Sequence, residues 1–484
     1  MLRSVLRNFT AIGIAHLADR AIVFLFMVYA ARVLGPQAFG EYLLIGTYIM
    51  FFSITFTAGL LPVAVREIVR HRDNPRPTFE ATLSLRLVLG LLAYGLLLLL
   101  VVLAQPTTTL LPLAAIAGTA LIVDALKDAY TAYHTAFERM AVPSAFQVIN
   151  SMLTAAVGST LLYFDHGLLA LLLGIALVNV AVNAAWHILF LTRVQRYRLR
   201  LVYQAWKDML LLIAPIAPVQ LTAQFNRLVS IMMLSLVGGP MPRERAVGLF
   251  GPAQQIASFP LGLLFGLRRA IVPPLAHRLH QRQSIEKEFA AALKLTTVAL
   301  AFPMLAITTC FSGEILALVF GPAYAESAAT LRLVGAAAAI WVVALVPESL
   351  IIAHHQHRFG QLLAAVIAPL AINLLLCLLL IPTHGPAGAG AALVVSRMAY
   401  LGCVTYYCRV VAPVGKLRPS TFLAPVLVLC AAYAICIYAA WRVESPFMRA
   451  GVVLLVVIVA MLAAGHRELR LVRQAVDRRI RNAL

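Results

Sequence analysis

The sequence predicts an all-α polytopic membrane protein. About fourteen transmembrane helices are expected, as two pseudo-symmetric six-helix lobes plus two C-terminal helices. Three observations lead there. Of 484 residues, 62% are apolar and 12% charged, where a soluble domain carries about 25% charged residues. Apolar runs of about 20 residues, the length that crosses a bilayer, follow one another along the chain. Short segments of the first half also return, in order, in the second. A net charge of +20 would point to nucleic acid in a soluble protein. Here the arginines gather in alternate loops, as in a membrane protein, and no nucleic-acid partner is expected.

In chain order, spans are expected near 8–33, 39–64, 82–104, 110–133, 142–163 and 168–192, forming an N-lobe over 1–200. A second set near 209–237, 246–272, 291–311, 328–353, 360–381 and 386–408 forms a C-lobe over 201–412. Two more, near 421–441 and 446–465, fill 413–466, and 467–484 is an amphipathic tail. The opening MLRSVLRNFT has no small-residue cleavage site after a short apolar core and reads as the start of a retained span.

Span one carries one polar turn, His16, Asp19 and Arg20. An ionic pair is expensive in hydrocarbon, so Asp19 and Arg20 must face a polar cavity or a partner. The span ends at Gly35-Pro36, which breaks the helix, and Gly40 opens the next one. Arg86 lies near the cytoplasmic end of span three, where it is expected to snorkel. Span four holds Asp124, Lys127, Asp128, Thr131, His134 and Thr135 on one helical stripe, which cannot face lipid. That stripe reads either as a self-satisfied cluster tying span four to a neighbour, or as a cavity wall that contacts sugar hydroxyls or takes up protons or sodium.

Span seven carries Gln220, Gln224 and Arg227 at i, i+4 and i+7. In span ten Glu348 follows Pro347, which frees a backbone carbonyl; Glu348 is a candidate ion site or the partner of an arginine. Arg397 lies in span twelve. The run His354-His355-Gln356-His357 has no neighbouring carboxylate and reads as a solvated loop, not a metal site. The six cysteines fall in apolar runs without metal-ligand spacing and read as small buried hydrophobes.

Orientation follows from the loops. Arg66, Arg70, Arg72 and Arg76, then Arg139, then Arg193 to Lys207, Arg268 to Lys287, Arg358, and Arg409 to Arg418 share one side with both termini. The opposite loops, 105–109, 164–167 and 381–386, are bare of lysine and arginine, with Arg243, Arg245 and Arg442 the main exceptions. Both termini are therefore expected in the cytoplasm. The basic, partly amphipathic loops 193–208 and 273–290 are expected on the anionic inner surface.

The internal repeat pairs Asp19-Arg20 with Asn226-Arg227 and Gly40 with Gly248. It also pairs Asp128 with Glu348 and Asn150 with Asn373, at offsets drifting from 207 to 223. An even number of spans separates them, so the lobes are parallel, with substrate expected between them. Arg20 and Arg227 then occupy equivalent places. A guanidinium suits phosphate because its planar fork offers two parallel donors and stays charged when partly desolvated. No GxSxG, P-loop, HExxH or DxD is present, so no enzyme, metal or cofactor is expected.

The hinge Arg32 to Tyr42 resembles the opening signature of the polysaccharide transport, or oligosaccharide flippase, family of the multidrug/oligosaccharidyl-lipid/polysaccharide exporter superfamily. Ala246 to Gln255, Phe320 to Arg332 and Gly385 to Val394 resemble further family patterns, and the likeness covers most of 4–412. The resemblance implies a flippase for undecaprenyl-diphosphate-linked oligosaccharide in a bacterial inner membrane, working by alternating access around a cationic cavity. Arg20, Arg227, Lys127 and Arg397 map onto that cavity by their place in the repeat. Membrane lipids and polysaccharide polymerase or ligase machinery are the implied partners. The last two spans resemble the extra pair of fourteen-span lipid II flippases, which helps to form a groove for the lipid tail. Two other readings stay open. One is a cation-coupled multidrug exporter using Asp19, Asp124 and Asp128; the other is a membrane glycan polymerase or ligase.

Overall fold

The computed structural model describes residues 2–104, 110–194, 196–214, 217–259, 286–354 and 359–411, with isolated positions between 427 and 451. Every regular element among the described residues is helical. The expected spans between 8 and 408 all fall on helices, the one at 246–272 only as far as Ser258. Most of the last two spans and the whole tail lie outside the described residues.

The chain divides into two compact units, Met1–Leu236 and Val237–Leu484. In the first, α1 (Leu2–Thr57) is followed by α2 (Leu60–Arg70), α3 (Arg76–Ala104), α4 (Leu110–Gly118) and α5 (Ala120–Ala136). Then come α6 (Ala141–Tyr163), α7 (Gly167–Arg193), α8 (Tyr203–Ile213) and α9 (Ala217–Val237). The second holds α10 (Arg243–Ser258), α11 (Glu286–Thr296), a π turn at Thr297–Ala301, α12 (Phe302–Cys310) and α13 (Ser312–Phe320). After a 3-10 turn at Pro322–Ser327 it continues through α14 (Ala328–His354) and α15 (Phe359–Val411).

Two apolar stretches, Leu17–Arg70 and Ala364–Cys408, run 54 and 45 residues. Straight helices of those lengths would extend about 80 and 70 Å, against a hydrocarbon core of about 30 Å. Each is broken where a Gly-Pro pair stands. Gly35 has φ 69° and Gly385 φ 54°, left-handed backbone that folds one long helix into two crossings. Both hinges lie between adjacent expected spans.

Within unit 1 the packing is built as lipid requires. Leu169, Leu173, Leu177 and Val180 of α7 are exposed along one face, suited to hydrocarbon. Small residues set the inner contacts. A Cβ on Gly90 of α3 would come within 2.9 Å of the Leu121 carbonyl oxygen, and one on Gly158 of α6 within 2.7 Å of Phe26. The short α2 is amphipathic: Leu60, Val63, Ala64 and Ile68 pack with Leu85, Ala132 and Met209, leaving Arg66 and Arg70 exposed. Phe79, Tyr130, Tyr133, Trp186 and Phe190 form an aromatic core joining α3, α5 and α7.

In unit 2 Arg245 stands in the first turn of α10. Its guanidinium donates twice to Glu326 Oε1, at 2.8 and 3.2 Å. Of the cysteines, Cys310, Cys377, Cys408 and Cys436 are buried as expected; Cys403 is half-buried and Cys430 exposed. The Cys310 thiol donates to the Cys436 carbonyl oxygen at 3.5 Å, holding α12 against residues 433–438 of span thirteen.

Candidate functional site

Charged side chains of unit 1 that stand inside apolar helices include Asp19 and Arg20 on α1, Arg86 on α3, and Asp124, Lys127 and Asp128 on α5. What decides their chemistry is how they pair.

Asp128 is taken by Arg86. The guanidinium Nη1 donates to Asp128 Oδ2 at 2.5 Å, with the Arg86 side chain wholly buried and that of Asp128 about one-third exposed, at 34%. This corrects the expectation that Arg86 snorkels. The Arg86 side chain is instead turned into the packing of α3 against α5, where Asp128 neutralises it. Its Nε and Nη2 are buried and have no partner among the described residues. Ser53 and Thr57 of α1 line the same small hollow, with Asp124 and Asp128.

Asp124 is taken by Lys127, one turn away on the same helix at 3.4 Å, both side chains partly exposed. Lys127 also feels the carboxylates of Asp128 and Asp19. Asp19 does not pair with Arg20. Its Oδ1 accepts a short hydrogen bond from the Ser151 hydroxyl and a second, at 3.4 Å, from Gln147 Nε2, both on α6. Consecutive helical residues point about 100° apart, so an acid and its neighbouring base face different helices. Arg20 is left exposed, and among the described residues it makes no ion pair.

The stripe on α5 is not one surface. Thr131 bonds back to the Lys127 carbonyl at 2.8 Å, and Thr135 is half-buried. His134 is buried, 6.2 Å from the Trp186 ring and stacked on it. His134 lies about 80° round the helix from Asp124, enough to turn it toward α7.

On α9 the side chains of Gln220 and Arg227 lie outside the described residues, as does that of His16 on α1. The facing of Arg20 and Arg227 across a cavity lies outside them too. Gln224 is half-buried; beside it Phe225 stacks on Phe51 of α1 at 5.0 Å, and the buried Ser235 hydroxyl bonds Tyr48 at 2.9 Å. In unit 2 Glu348 is half-buried on α14 after Pro347, and the Arg397 guanidinium lies 6.0 Å from the Trp341 ring centroid. The side chains of His354 to His357 lie outside the described residues. Among the described residues no cluster of His, Cys, Asp or Glu is arranged to hold a metal.

Sequence reasoning found the acids and Lys127 and passed over Arg86, Ser151 and Gln147. The signal for Arg86 was an arginine that shares a lobe with an intramembrane acid left without a basic partner.

The profile of the polysaccharide biosynthesis protein family matches residues 5–278. No curated protein matches significantly. Among solved structures, lipid II flippase MurJ in an inward closed conformation superimposes with a TM-score of 0.72 at 15% identity, covering 94% of this chain and 97% of that one. A multidrug resistance MATE family transporter of the MOP superfamily, inward-facing, gives 0.61 at 14% identity, covering 87% and 96%. A MOP superfamily transporter from Pyrococcus furiosus gives 0.55 at 12% identity, covering 88% and 96%. At these identities the likeness is one of fold alone, that of polytopic membrane transporters.

Proposed function

We propose that this chain, which belongs to the polysaccharide biosynthesis protein family, is a flippase for undecaprenyl-diphosphate-linked oligosaccharide. It moves the headgroup from the inner to the outer leaflet of a bacterial inner membrane by alternating access. The observation that carries the reading is the pairing pattern in unit 1. Asp128 is committed to Arg86, Asp124 to Lys127 and Asp19 to Ser151 and Gln147, while Arg20 is exposed without an ion pair among the described residues. A cation on a spanning helix in that condition calls for an anion, and a diphosphate supplies one.

Sugars and a diphosphate cannot cross hydrocarbon unaided, whereas the polyprenyl tail stays in lipid. Arg227 and Arg397 complete the proposed cationic cavity; the charge of Lys127 is offset by its ion pair with Asp124. Gln220, Gln224 and Glu348 serve as polar contacts to the glycan. Both termini are assigned to the cytoplasm from the arginine-rich loops. Polymerase or ligase machinery on the outer side would consume the product.

A multidrug resistance transporter shares this fold, and a cation-coupled exporter is the second reading. That reading needs carboxylates open to a cation, and the two acids of α5 already hold basic partners. Reconstitution separates the two. Purified protein in proteoliposomes should flip a prenyl-diphosphate glycan without a pH gradient driving dye efflux. Efflux of a cationic dye with no glycan flipping would overturn the proposal.

A further inference from the structure

Between the end of α7 and α8, residues 196–203 read Arg-Tyr-Arg-Leu-Arg-Leu-Val-Tyr and are not helical until Tyr203. Arg193 closes a helix apolar and long enough to span a membrane, and the strap follows it directly.

It is held from the inside. The Tyr197 hydroxyl shares 3.0 Å hydrogen bonds with the Tyr130 hydroxyl and with His187 Nδ1. The Arg198 backbone N–H donates to Glu80 Oε1 at 2.8 Å. Just beyond, Trp206 Nε1 donates to Ser84 Oγ at 3.0 Å, and Met209 of α8 is buried against α2.

The outer side is unlike a loop made for water. Positions 196, 198 and 200 are all arginine and all exposed, while Leu199, Leu201 and Tyr203 are 58%, 72% and 76% exposed. Glu80, the carboxylate that faces the strap, is already occupied by Arg76 at 2.9 Å and by the Arg198 N–H, and also lies within reach of Arg200. Asp208 accepts from Gln204 at 3.4 Å. Exposed arginines interleaved with exposed apolar side chains, on a segment that follows an apolar helix, match one neighbour: phosphate headgroups over an acyl boundary.

We infer that the strap is a docking surface for the anionic leaflet beside α7. Arg196, Arg198 and Arg200 lie among lipid phosphates, and Leu199, Leu201 and Tyr203 lie at the acyl boundary. Because Tyr197 and Trp206 pin the segment, the surface is preformed. This holds whatever the protein carries.

The test uses the full chain in nanodiscs of phosphatidylglycerol mixed with phosphatidylcholine, or of phosphatidylcholine alone. A Leu201→Trp variant should gain fluorescence quenched by brominated lipid in the anionic discs, with little quenching by aqueous iodide. Adding Arg196→Gln, Arg198→Gln and Arg200→Gln should abolish the lipid quenching. In detergent, the triple Gln variant should bind added phosphatidylglycerol about a hundredfold more weakly, roughly fivefold per arginine. Equal lipid quenching in neutral discs, unchanged phosphatidylglycerol binding by the triple variant, or full quenching by iodide would each overturn the assignment. Full iodide quenching would turn attention to a soluble acidic partner.

Discussion

Arg86 and Asp128 meet at 2.5 Å between α3 and α5, with the guanidinium entirely withdrawn from solvent. Gly90, one turn further along α3, lets the two backbones approach closely enough for the pair to form.

Breaking this pair from one side should be costly, because it strands a buried charge. Arg86→Ala and Asp128→Asn are each expected to lose about 3 kcal/mol of stability, seen as a lower thermal midpoint in detergent. The double variant Arg86→Met/Asp128→Leu should recover most of the loss. Additive losses in the double variant would mean that the two groups are not coupled.

The hinge of α1 gives a matched pair of glycines. Gly35 stands at φ 69° and ψ 174°, and Gly46 is helical; an added Cβ meets nothing within 4 Å at either. Gly35→Ala therefore tests backbone strain alone and should cost about 1–3 kcal/mol. Gly46→Ala should gain up to about 1 kcal/mol. Thermal unfolding of the two variants side by side checks the sign of each.

The hinges were legible in the sequence because Gly-Pro interrupts a helix by local chemistry, as at Gly35 and Gly385. The intramembrane acids were legible as well, since a carboxylate in an apolar run is visible by itself. Their partners were not. Ser151 and Gln147 are ordinary polar residues of a spanning helix, and their proximity to Asp19 depends on how α6 packs on α1. Arg86 was misjudged because its burial depends on how α3 packs on α5, which brings Asp128, 42 residues on, to its guanidinium. The even stripe on α5 divided for a similar reason: successive turns face different neighbours.

Ser151 holds the Asp19 carboxylate against α6. Ser151→Ala should cost about 1.5 kcal/mol for one hydrogen bond to a charged group. It should also slow glycan flipping, because a freed carboxylate beside Arg20 competes with the diphosphate. Ser151→Thr retains the hydroxyl and should restore both readouts. Stability lost without any change in flipping would separate Asp19 from the transport site.

The Tyr197 anchor predicts an alkaline limit. Burial holds its phenol above the ordinary tyrosine value near 10, against the hydrogen bond from Tyr130, which lowers it. The folded state therefore keeps a proton that the unfolded chain releases. The stabilisation is complete below pH about 10 and is lost as pH rises further through the raised value. Tyr197→Phe should cost about 1 kcal/mol at neutral pH and flatten part of the alkaline decline, measured as thermal midpoint from pH 8 to 11.

The most direct test of the central claim is flipping of a prenyl-diphosphate glycan in proteoliposomes by the intact protein and by Arg20→Ala, at matched folding and incorporation. If Arg20 receives the diphosphate, the variant should lose at least tenfold in rate, the loss of about 1.4 kcal/mol of charge-assisted binding, and Arg20→Lys should recover only part. Undiminished flipping by Arg20→Ala would contradict the account and remove that arginine from the substrate's path.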